Sequence, residues 1–99
     1  MDQIGFYNYL LRQGVEKKVC SDHVSRLKRI EKALKNCDLD EEYLKDRCKS
    51  LVVMMYKKNS KLEIKKRLIG TLPIGSYTMS TYRYSINKYI KYLDSLKNG

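Results

Sequence analysis

Apolar residues recur along this chain at helical spacing, three or four apart. Ile4, Phe6, Leu10 and Leu11 give a short apolar stripe, predicting a helix over 3–13 with Asp2 as its cap and Gly14 as its stop. Residues 15–20 read as a connector. Ser21 or Asp22, both good N-cap types, opens a second helix that ends near Asn36. Val24, Leu27, Ile30 and Leu34 make its buried face. A third helix opens at Asp40 after the turn-like Asn36-Cys37-Asp38. Glu41, Glu42 and Asp46 sit in its first turns, where the positive end of the helix dipole favours them. Leu44, Cys48, Leu51, Val52 and Met55 form its core stripe. The pattern weakens at Asn59 and Ser60, a short helical piece follows over 61–68, and 69–77, with Gly70, Pro73 and Gly75, reads as a loop. The clearest helix runs from Thr78 or Ser80 to about Leu96, burying Tyr82, Ile86, Tyr89, Ile90, Leu93 and Leu96.

These elements predict an all-α chain, a compact four-helix bundle formed as one domain over residues 1–99. A single Pro and five Gly leave the helices uninterrupted. The longest apolar run, Leu51 to Tyr56, is far too short to span a bilayer, and no basic, apolar leader opens the chain. Three cysteines, Cys20, Cys37 and Cys48, make an odd count with no C-x-x-C pair. They predict reduced, half-buried thiols and a cytoplasmic protein, not a disulfide frame or a zinc site.

Charge changes the picture most. Twenty-one Lys and Arg stand against eleven Asp and Glu, a formal net charge of +10. From Lys57 onward there are ten bases against only Glu63 and Asp94. Such an excess points to a polyanion, nucleic acid first and an anionic membrane surface last. The acids between Asp38 and Asp46 are expected to project away from it.

The bases also fall on faces. Ser25, Lys28, Arg29, Lys32 and Lys35 share a face of the second helix away from its apolar stripe. Ser80, Arg83, Tyr84, Asn87, Lys88 and Lys91 share the outer face of the last helix. Lys and Arg neutralise phosphates, Ser, Asn and Tyr bond to sugar and phosphate oxygens, and Asn and Arg also read base edges. Of the nine tyrosines, Tyr82 and Tyr89 belong to the core by spacing, whereas Tyr84 and Tyr92 are expected to be free to meet a partner.

No catalytic pattern is present. The lone histidine, His23, sits beside Asp22, but adjacent helical residues diverge, so His23 reads as a partly buried packing residue. Asp40, Glu41 and Glu42 read as helix-start residues, not as metal ligands. No phosphate loop and no H-E-x-x-H or calcium-loop motif occurs, so no enzyme activity, cofactor or metal is expected.

Three segments carry a family resemblance: Phe6-Tyr7-Asn8-Tyr9-Leu10, Val19 to Ile30 (VCSDHVSRLKRI), and Tyr82 to Leu93 (YRYSINKYIKYL). Together they resemble the core-binding, SAM-like N-terminal domain of tyrosine recombinases and phage integrases, with its F-x-x-Y-L start and its final Y-x-x-A-L-x-x-Y-L type of helix. The resemblance implies a four-helix bundle clamping one side of duplex DNA, with Ser25, Lys28, Arg29 and Lys32 and then Tyr82, Arg83, Asn87 and Lys88 toward it. Two positions depart from the pattern: His23 stands in place of a Tyr, and Ser85 in place of a small Ala. The recombinase catalytic set does not follow. A second reading, from a different class, is a small phage or mobile-element protein that binds a host protein or a protein–nucleic-acid complex, for example to inhibit a defence nuclease. A third is self-association through Ile74 or Met79.

Overall fold

The computed structural model describes residues 1–56, 66–70 and 76–98. The first helix, α1, spans Gln3–Arg12, and the expected cap is in place: Asp2 Oδ1 accepts from the Gly5 amide at 3.0 Å. Gly14 ends it in the left-handed region, at φ 85°. The Val15 amide then reaches back to Leu10 O at 3.0 Å, satisfying a terminal carbonyl. Phe6 and Leu10 are buried, but Ile4 is 78% exposed. At about 100° per residue, Ile4 lies almost diametrically opposite Phe6, so the two cannot share a stripe.

Helix α2 spans Lys17–Ala33, so the second half of the expected connector is helical. Its buried positions, Cys20, His23, Leu27 and Ile30, run at spacings of three, four and three. Burial of Cys20 carries that stripe one turn further back than the cap-like Ser21 and Asp22 suggest. The C-terminus comes earlier than Asn36. Leu34 is already extended and forms an isolated antiparallel bridge with Leu68. The Lys35 amide donates to Arg67 O at 2.7 Å and the Ile69 amide to Ala33 O at 2.8 Å, which lays the segment 66–70 along the end of α2.

The expected third helix is two helices, α3 over Leu39–Asp46 and α4 over Lys49–Met54. Between them Arg47 and Cys48 are both left-handed, at φ 59° and 62°. Two non-glycine residues rarely hold such angles in succession unless tertiary contacts outweigh the strain. Here the Cys48 side chain is buried beside Leu39 O, and the Arg47 guanidinium pairs with Asp94 on the last helix. The break turns α4 relative to α3. Leu39, Tyr43, Leu51, Met54 and Met55 face the core, whereas Leu44, expected there, is 80% exposed. Asp38 caps α3 through the Asp40 amide at 2.9 Å.

The last helix, α5, spans Ser76–Asn98 and starts two residues before Thr78. Tyr82, Ile86, Tyr89 and Ile90 are buried as the spacing predicts, Leu93 is half-buried, and Leu96, near the C-terminal end of the helix, is exposed. Two further expectations fail. Tyr92 is 3% exposed, because its ring packs against Phe6, Tyr9 and Tyr89. Met79 is buried in the core and so is closed to a partner chain. The expected helical piece over 61–68 is described only at its end, and Ile74 and the middle of the expected 69–77 loop lie outside the described residues.

The five helices among the described residues pack into a compact, mostly helical body, and no strand occurs among those residues. Helices α1 and α5 both lie on α2. The N-terminus is tied in by a polar cluster. The Asp2 amide donates to Tyr89 Oη at 2.8 Å, and the Tyr89 and Tyr92 hydroxyls donate to Asp40 and Asp2. All three cysteines are free and buried, and burial pushes the Cys37 and Cys48 thiols up to about 12. No helix among the described residues is long and apolar enough to cross a membrane.

Candidate nucleic-acid interface

Helix α2 buries one face, so the residues opposite are carried outward by the helical repeat alone. Ser25, Lys28, Arg29 and Lys32 are exposed there, as the sequence predicts; Lys35 is exposed too but lies beyond the end of α2, on the extended segment paired with Arg67, and so is not part of the helix face. Among the described residues no carboxylate lies within ion-pair distance of Lys28, Arg29, Lys32 or Lys35. Many acids are engaged elsewhere. Glu31, Asp38 and Asp40 surround the Met1 amine, Glu42 pairs with Arg67, and Asp94 is bound by Arg47 and by the Tyr43 hydroxyl. Those contacts hold the Asp94 carboxyl down at about 2. The basic stripe therefore keeps its full charge toward solvent.

On α5, Tyr84, Asn87 and Lys91 are exposed and Lys88 is half-buried. Arg83 goes elsewhere. Its Nη1 donates to Met55 O at 2.6 Å, and its guanidinium lies 4.4 Å from the Tyr56 ring centroid. It caps the end of α4 and is separated from the rest of the group. Tyr82, which the family resemblance directs toward DNA, is in the core instead, and its hydroxyl has no partner among the described residues.

The α2 and α5 faces meet at a seam built on His23. Its Nδ1 lies 2.8 Å from Ser85 Oγ, and Arg26 Nη1 donates to the same hydroxyl at 3.4 Å. The Ser85 hydroxyl, accepting from Arg26, keeps its own proton and one further lone pair for His23 Nδ1. The two positions that depart from the recombinase pattern are thus partners of one another. The His23 ring is almost fully buried and stacks on Tyr84, with centroids 5.4 Å apart and planes at 22°. Lys88 Nζ stands 5.5 Å from the centre of the Tyr84 ring. Ser85 is wholly buried, so no substrate reaches its hydroxyl. The sequence pattern does not single out Arg26, because it lies at the boundary between the apolar and basic faces of α2. Its only sequence signal is its place one turn after His23.

Burial lowers the His23 pKa below its ordinary 6.5, and the nearby charges of Arg26 and Lys88 push the same way. The unfolded chain therefore takes up a proton near pH 6.5 that the folded chain resists. Stability is expected to fall as pH drops below about 6.5, with a slope of at most about 1.4 kcal/mol per pH unit. The lowered carboxyls of Asp2, Asp46 and Asp94 act in another window: their contribution is complete above pH 3.8 and is lost only below it. Thermal melts between pH 7 and 5 should show a falling midpoint in the wild type and a nearly flat one in His23→Asn, whose Oδ1 can take the Nδ1 position. Equal slopes in both proteins would remove His23 as the cause.

Comparison of the chain with protein-family models, with curated proteins and with solved structures found no match.

Proposed function

We propose that this chain is a non-catalytic DNA-binding module of the SAM-like, core-binding kind that its sequence resembles, contacting the phosphate backbone through α2 and α5. The observation that carries this reading is the α2 stripe: three exposed bases, Lys28, Arg29 and Lys32, with no carboxylate within ion-pair distance among the described residues. Cations on one helix face displace the counterions condensed on nucleic-acid phosphates, and the release of those ions favours binding. Arg26, Lys88 and Lys91 extend the same charge across the seam, while Ser25 and Asn87 supply hydrogen-bond donors for phosphate oxygens. Arg83, held by Met55 O, is left out of the contact set.

The test is fluorescence anisotropy of labelled duplex DNA across a salt titration. With four or more phosphates contacted, log Kd should rise with log salt at a slope of about 3.5 or more. Absence of binding at low salt would overturn the reading and direct the search to a protein partner.

A further inference from the structure

Phosphate contact requires only charge, yet the centre of this basic face is an aromatic ring. Tyr84 is 57% exposed, the most exposed of the described aromatic side chains, and it is held in place from below. The His23 ring is stacked against it at 22°, and His23 is in turn fixed by burial and by Ser85. A ring so backed loses little freedom when a ligand covers it. Lys88 lies over the ring, Arg26 reaches Ser85 beside the His23 that backs it, and Asn87 and Lys91 lie on the outer face of the same helix. The Lys88 ammonium, 5.5 Å from the ring centre on a flexible stem, makes a loose contact that a phosphate can draw away.

Bases in a paired duplex are stacked on one another and have no face to offer a protein ring. An exposed aromatic flanked by cations matches nucleic acid whose bases are unstacked, where each base adds its π-face to the platform. We propose that Tyr84 is a stacking platform for an unpaired base, so that this face takes single-stranded nucleic acid, with Arg26 and Lys88 on the flanking phosphates. This rests on the nucleic-acid-binding reading above and adds to it a preference for unpaired bases.

The experiment compares anisotropy binding of a labelled 16-nucleotide oligothymidine and a labelled 16-base-pair duplex to the wild type and to Tyr84→Phe, Tyr84→Ala and Tyr84→Leu. Tyr84→Phe keeps the ring and should bind the single strand within about twofold of the wild type. Tyr84→Ala should weaken single-strand binding about fivefold or more. Tyr84→Leu, which still covers His23 and so guards against a folding defect, should weaken it similarly. Because stacking carries no charge, the salt slope on either probe should stay unchanged, and the loss in Tyr84→Ala and Tyr84→Leu should be several-fold smaller on the duplex than on the single strand. Single-strand binding that survives both Tyr84→Leu and Tyr84→Ala overturns the platform while leaving duplex binding intact. An equal loss on both probes with a shallower slope overturns it too, by assigning Tyr84 to phosphate contact. If the wild type binds neither probe at low salt, the underlying nucleic-acid reading fails, and the platform with it.

Discussion

Replacing Phe6 by Ala is expected to cost about 3–5 kcal/mol of stability. A domain of this size holds only about 5–15 kcal/mol in total. Phe6 is wholly buried, with the Tyr89 ring edge-on at 5.0 Å and the Tyr92 ring tilted at 5.9 Å. The loss belongs in the upper part of that range because the void cannot collapse. Tyr89 is tethered by the Asp2 amide and by Asp40, and Tyr92 by Asp2, so neither ring is free to move into the vacated space. Urea unfolding followed by circular dichroism checks this through the midpoint at constant slope. Phe6→Leu, which restores most of the volume, should recover more than half of the loss. If Phe6→Ala costs less than about 1 kcal/mol, the tyrosines do relax and the tethers are not what hold them.

The second large effect is on binding. The double variant Lys28→Glu/Lys32→Glu should lower affinity for duplex DNA about a hundredfold at 0.1 M salt and reduce the salt slope by about two units. Two phosphate contacts vanish and two repulsive charges take their place. Folding should be unaffected, since both side chains are exposed and without ion-pair partners among the described residues. The same change in net charge at Lys45 and Lys49, exposed on α3 and α4, should cost far less. Equal losses in the two double variants would mean that overall charge governs binding and that the α2 stripe is no interface.

The sequence by itself determined the helical character of the chain, the caps at its start and the outward basic stripe on α2. These follow from local physics: a repeat of 3.6 residues sends Leu27 and Ile30 one way and Lys28 and Lys32 the other whatever surrounds them. The stop at Gly14 is equally local, since glycine enters the left-handed region at no steric cost. Only the tertiary structure decided the rest. The split at Arg47 and Cys48 exists because Asp94, on a distant part of the chain, draws the guanidinium and because the Cys48 side chain is buried, and no local pattern announces either. Tyr92 is buried because Phe6 and Tyr9 arrive over it from α1. Arg83 shares a helix face with Asn87 by periodicity, yet a carbonyl at the end of α4 takes its guanidinium. His23 and Ser85 stand 62 residues apart, each unremarkable in its own helix. Their pairing, and the platform it sets under Tyr84, arises only where α2 packs on α5, because a buried polar group takes its partner from whichever element the packing brings within reach.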